Sequence, residues 1–184
     1  MHTDFKSMFS FDHQLHFLNH GSFGACPKPV FEQYQQWQRK LEEQPVQFLG
    51  REYHKLIRDA IKPLAEYLGT LPDNLVFVPN ATYGVNLVAR SLDLQPGDEI
   101  LSSDHEYGAC DYTWNFICQK QGARYLRQSL PYPSVSDQEM VDLFWQGVTE
   151  RTKLIFLSHI TSPTALRLPV EAICQRACEH GILT

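Results

Sequence analysis

A chain of 184 residues with 43% hydrophobic and 20% charged side chains is long enough to bury one sizeable core and carries no compositional mark of disorder. A net charge of −5 without any Lys/Arg cluster excludes the basic surface that nucleic acid demands. Apolar runs such as 154–157 are too short to span a bilayer, and Met1-His2-Thr3-Asp4 starts no secretory leader, so a cytoplasmic protein is expected.

Two helical patterns come first, 27–43 and 51–68, with apolar positions such as Val30, Tyr34, Trp37 and Leu41, then Leu56, Ile57, Ile61 and Leu64. After Gly69 strands and helices alternate. The rhythm predicts strands at 75–79, 99–103, 123–128 and 153–158, and helices at 83–91, 107–121, 136–147 and 169–180. This is βαβ order, hence an α/β fold with a mostly parallel sheet and flanking helices. Gln95-Pro96-Gly97-Asp98, Gln121-Gly122 and Pro131-Tyr132-Pro133 supply turns where the pattern needs them. Helix 169–180 closes on His180-Gly181, and Ile182-Leu183-Thr184 reads as a fifth strand just opening, as though the sequence stopped in mid-fold. The expected division is an N-terminal arm with helices over 1–70 and an α/β portion over 71–184.

In parallel sheets ligands gather beyond the carboxyl ends of the strands. The residues placed there are Asn80-Ala81-Thr82, then Asp104-His105-Glu106-Tyr107, then Ser158-His159-Ile160-Thr161-Ser162. The first stretch turns from an apolar run into a helix, which aims backbone N–H groups and a positive dipole end at one point. Ala81 keeps that turn narrow, and Thr82 sits where a capping hydroxyl is expected, so a phosphate needs no lysine there. The plain alternative is a Thr-capped helix with nothing bound. Phe17-Leu18-Asn19-His20-Gly21-Ser22-Phe23-Gly24 adds an extended loop whose glycines suggest a close backbone approach, or an ordinary loop.

Other chemistries fit less well. Ser158, His159, Asp104 and His105 are triad residue types, yet neighbours along a strand face opposite ways and no Gly-x-Ser-x-Gly elbow exists. His13, His16 and His20 have helical spacing, but the segment reads as extended and no further ligand completes a set, so no metal is expected. Cys174 and Cys178 share a helix face; with two ligands only, buried small-residue packing is the expectation. Five scattered cysteines make no disulfide framework, and a dinucleotide Gly-x-Gly-x-x-Gly is absent.

Together these stretches resemble the class V aminotransferase family of pyridoxal 5′-phosphate enzymes, nearest its isopenicillin N epimerase-like and cysteine desulfurase-like branches. The resemblance runs in order along nearly the whole chain. Asn80-Ala81-Thr82-Tyr83-Gly84-Val85-Asn86 resembles the family's phosphate loop, which implies cofactor contacts from Ala81 and Thr82. Glu106-Tyr107 resembles the place where a ring stacks on the pyridine, which implies Tyr107. Ser158-His159-Ile160-Thr161-Ser162-Pro163-Thr164-Ala165 resembles the loop reaching the cofactor's phenolic oxygen, which implies Ser162 and, secondarily, His159; desulfurases carry Asn where Ser162 stands. The early segment resembles the substrate side, implying Asn19, His20 and Gly21.

The resemblance further implies the large domain of an aspartate aminotransferase-like fold, incomplete here, an amino-acid substrate and a homodimer of the full-length protein. Its departure lies in what the family carries further on: an Asp for the pyridine nitrogen and a Schiff-base lysine after a histidine. None of Lys6, Lys28, Lys40, Lys55, Lys62, Lys120 and Lys153 follows a histidine, so no catalytic residue is assigned within 1–184. Two readings follow: a portion of an enzyme acting at the α-carbon of an amino acid, or a non-catalytic truncated product or phosphate-binding α/β module. An open sheet edge is expected to make the chain alone prone to aggregate.

Overall fold

The computed structural model describes residues 5–12 and 14–184. They form two compact units, Met1–Val76 and Phe77–Thr184. The first is helical. A turn of helix, α1 (His20–Phe23), precedes α2 (Lys28–Glu43), which opens on Pro27 and Pro29. The short α3 (Pro45–Gln47) runs through a π-helical stretch, Phe48–Glu52, into α4 (Tyr53–Leu68). Gly69 ends α4 at φ 67°, a left-handed cap that a residue with a Cβ adopts at a cost. The extended segment expected around Asn19-His20-Gly21 is instead the start of α1. The turn closes so tightly that a Cβ on Gly24 would meet the His20 carbonyl oxygen at 2.7 Å, which accounts for that glycine. His13 of the three-histidine metal reading lies outside the described residues, and among those described no cluster of three ligating side chains occurs.

The second unit is the α/β layer. Strands β1 (Glu99–Ser103), β2 (Arg124–Gln128) and β3 (Thr152–Ile155) make a parallel sheet in the order β2-β1-β3. The middle strand is buried along its whole length, as a parallel strand covered on both faces must be. Helices α5 (Ala81–Ser91) and α6 (Gly108–Gln121) cover one face, where Trp114, Ile117 and Cys118 meet Ile100 and Leu154. Helices α7 (Asp137–Trp145) and α8 (Val170–Glu179) cover the other, where Met140, Phe144, Ile173 and Ala177 meet Leu101 and Ile155. This is the expected α/β fold with a small parallel sheet and flanking helices.

Three expectations need correction. Residues 75–79 are not a strand: among the described residues no strand pairs with them, and Val76, Phe77 and Val78 are left exposed. An apolar run becomes a strand only beside another. At the far end, Leu183 does bridge β3 in parallel, its carbonyl accepting from Ile155 N at 2.8 Å. Cys174 and Cys178 are both exposed rather than packed, because Ile173 and Ala177 take the inward positions of α8. Finally, the residue that caps α5 is Asn80, not Thr82.

Candidate functional site

Asn80 stands in extended conformation with its Oδ1 accepting the Tyr83 N–H at 2.8 Å, while its carbonyl accepts the Gly84 N–H at 3.1 Å. The cap thereby satisfies the third amide of the helix and leaves those of Ala81 and Thr82 facing out from the positive end of an 11-residue helix. The half-buried Thr82 hydroxyl has no hydrogen-bond partner among the described residues. Two amides, one hydroxyl and a helix dipole form a donor set suited to a phosphate dianion. Asn86, one turn on, anchors the group. Its Nδ2 donates to the Thr82 carbonyl at 3.0 Å and to the Thr113 Oγ1 of α6 at 2.9 Å.

Helix α6 starts at Tyr107, whose ring is half exposed and makes no ring contact among the described residues. The neighbouring Glu106 is 6% exposed and fully engaged. Its Oε1 accepts the Tyr107 N–H at 2.7 Å, its Oε2 accepts the Ser158 N–H at 2.9 Å, and the Ser158 hydroxyl donates to it as well. A buried carboxylate is tolerated because these donors replace its water. Glu106 thus ties the end of β3 to the start of α6. Its charge adds to burial in pushing the nearby Cys110 thiol up to about 11, and Asp111 contributes in the same direction.

Asp104 and His105 do something the triad comparison does not anticipate: they hold both polar groups of Leu130. The Leu130 N–H donates to Asp104 Oδ1 at 3.0 Å, and the Leu130 carbonyl accepts from His105 Nε2 at 3.0 Å. His105 Nδ1 lies 2.8 Å from Thr164 Oγ1, which lies 2.8 Å from Thr161 Oγ1. The rim beyond the strands is therefore joined into one network from β2 through β1 to β3. The contacts of His105 with Leu130 and Thr164, and of Glu106 with Ser158, span 25 to 59 residues, so sequence spacing does not show them.

Ser162 is exposed in the turn that Thr161 closes, where Ala165 takes a left-handed φ of 54°. His159 is exposed and faces a cleft of about 450 Å³ against α7 and α8, shared with Asp137, Arg167 and Glu171. Tyr107, Ser158 and the Ser162 turn are thus brought onto one connected rim, with Thr82 joined to it through Asn86 and α6. His159 opens into a different cleft. Asn19, His20 and Gly21 belong to the first unit, where the His20 ring packs on Phe9, Phe11 and Phe17 at centroid distances of 5.1, 5.7 and 4.7 Å.

Comparison with known proteins matches residues 18–184 to the model of the aminotransferase class-V family. Isopenicillin N epimerase of Amycolatopsis lactamdurans is 37% identical over 97% of this chain and 46% of its own length; that of Streptomyces clavuligerus is 35% identical over 91% and 42%. The chain spans less than half the length of these curated relatives. A probable cysteine desulfurase of Vibrio cholerae is 31% identical over 67% of this chain and 31% of its own. Among solved structures, the cystine C-S lyase C-DES in complex with cysteine persulfide superposes with a TM-score of 0.75 at 25% identity, covering 83% of this chain and 41% of that one. A C-DES mutant with glycine covalently linked to its pyridoxal phosphate shares the fold at a TM-score of 0.82, over 93% and 46%. The chain belongs to the aminotransferase class-V family.

Proposed function

We propose that this chain is the phosphate-anchoring portion of a pyridoxal phosphate enzyme that acts at the α-carbon of an amino acid, by transamination, epimerisation or C–S lyase chemistry. The carrying observation is the α5 N-terminus: Asn80 caps itself out of the way, leaving the Ala81 and Thr82 amides and the Thr82 hydroxyl as a donor set for one phosphate. The relatives' names support the same reading. When bound, the cofactor supplies the electron sink that acidifies the α-hydrogen. Around it, Ala81 and Thr82 hold the phosphate, Tyr107 covers the ring and Ser162 meets the phenolic oxygen. His159 is kept as a secondary contact, and Asn19, His20 and Gly21 as the substrate side. Residues 1–70 are assigned as the arm and 71–184 as part of the large cofactor domain, working as a homodimer.

The amine for a Schiff base comes from elsewhere. In the α/β unit Lys120 lies in the last turn of α6 and Lys153 near the start of β3, both at the opposite end of the sheet from the rim. Residues 1–184 tested alone are therefore expected to bind the phosphate group without turnover. The deciding experiment measures pyridoxal phosphate retained after dialysis by the product of the whole gene. Thr82→Ala removes one charge-assisted hydrogen bond and should weaken retention roughly tenfold or more. Unchanged retention would remove the phosphate assignment.

A further inference from the structure

We infer that His105 is a positioning residue for the cofactor site, fixing the turn that carries Ser162 through a one-way relay of hydrogen bonds. The inference rests on the pyridoxal phosphate reading but concerns a residue to which that reading gives no part. The direction of the relay follows from the groups themselves. The Leu130 carbonyl can only accept, so the proton of His105 sits on Nε2, 3.0 Å away. With that tautomer Nδ1 accepts and the Thr164 hydroxyl 2.8 Å from it donates, while Nε2 also lies 3.5 Å from Asp104 Oδ1. Thr164 Oγ1 is left to accept from Thr161 Oγ1 at 2.8 Å; the Thr161 hydroxyl, which also lies 3.3 Å from the Leu166 carbonyl, accepts the Leu166 N–H at 2.9 Å.

Both ends of the relay are buried, His105 at 7% exposed and Thr161 at 2%, and Thr164 between them is half-buried. It also closes the turn from inside, since Thr161 O accepts the Ala165 N–H at 3.0 Å and Thr161 N–H donates to Leu166 O at 2.9 Å. A turn that keeps Ala165 at φ 54° holds only where its surroundings determine it. Among the described residues, His105 is the one side chain that joins this turn to the loop after β2, through Leu130, while belonging itself to the loop after β1. Its two nitrogens therefore do separable jobs: Nδ1 sets the Ser162 turn, Nε2 sets Leu130.

Asparagine and glutamine separate them. His105→Asn places an amide oxygen near the Nδ1 position and keeps an acceptor for Thr164, whereas His105→Gln reaches the Nε2 position and leaves Thr164 without one. In the product of the whole gene loaded with pyridoxal phosphate, the pH midpoint of the cofactor's visible absorption change reports hydrogen bonding at its phenolic oxygen. His105→Gln and Thr164→Val should each move that midpoint by about one unit, and together no further, while His105→Asn and Thr164→Ser leave it in place. Amide exchange at Leu166 should quicken roughly tenfold or more in the same two variants. Faster exchange with an unmoved midpoint overturns the inference, since His105 would then be structural only; unchanged exchange overturns it directly. If the unaltered protein holds no pyridoxal phosphate, it is the proposed function that fails. If it holds the cofactor and His105→Gln behaves like it, only the part given to His105 fails. Should His105→Gln not fold, the Thr164→Val and Thr164→Ser pair decides by the same readings.

Discussion

Two of the cysteines illustrate how burial sets chemistry at single positions. Burial alone pushes the Cys118 thiol from its ordinary 9.0 up to about 11, and burial with the charges of Glu106 and Asp111 does the same for Cys110. Tyr125 is raised too, first by burial and then by its hydrogen bond to Asp111. Cys26, Cys174 and Cys178 are exposed. At about pH 8 an alkylating reagent should label those three and reach Cys110 and Cys118 only after unfolding, as peptide mapping would show. The same shifts set a stability slope. Between the unfolded thiol value near 9 and the folded one near 11, the unfolded chain holds fewer protons, so stability falls as pH rises through that window. The loss approaches about 2 kcal/mol per thiol, measurable as a falling urea midpoint that Cys118→Ala should flatten. The i, i+4 spacing of Cys174 and Cys178 was legible in the sequence. Their exposure follows from Ile173 and Ala177 forming the inward stripe of α8.

At the level of elements, the clearest case is the start of α5. The anion site was readable because an apolar run meets a helical pattern at Asn80-Ala81-Thr82, but the division of labour there was not. Both Asn80 and Thr82 carry oxygens suited to capping, and only the extended backbone of Asn80 decides between them. The consequence is testable by separating cap from anion. Asn80→Ala should cost about 1 kcal/mol in thermal or urea unfolding through the lost Tyr83 contact. Asn80→Asp keeps an acceptor and suits the dipole, so stability should hold. Yet it sets a carboxylate beside the Ala81 and Thr82 amides, and pyridoxal phosphate retention should drop. A parallel fall of stability and retention in Asn80→Asp would show that one contact serves both. Strands β1 and β2 were legible from turn residues and apolar runs, whereas 75–79 was misread because pairing is a property of two segments. The Asp104 and His105 grip on Leu130 was illegible for a related reason: its partners are brought near only by the sheet.

For the chain as a whole, the distribution of exposed apolar groups carries the consequence. Strand β2 leaves an edge guarded by the exposed Arg124 and Arg127, the kind of charge that discourages pairing with another chain. Elsewhere in the same unit Phe77, Leu87, Val88 and Phe116 are about half exposed and Leu183 beside β3 is 59% exposed; Val76, the last residue of the first unit, is 76% exposed. Single exposed apolar residues are ordinary, but a run such as Val76 to Val78 with no sheet neighbour offers unpaired backbone and apolar side chains together. Residues 1–184 produced alone should therefore self-associate and melt broadly by light scattering and calorimetry. Phe77→Lys with Phe116→Lys should raise the monomer fraction, with only a small fall in melting temperature, because neither ring is buried although Phe116 gives up its contact with the Arg90 guanidinium at 5.8 Å. The product of the whole gene should instead melt sharply as a dimer if those surfaces are covered in it. A sharp, monomeric, cooperative melt of residues 1–184 would show that the exposed segment is tolerated, and that the fold of the α/β unit is complete without a neighbour for 75–79.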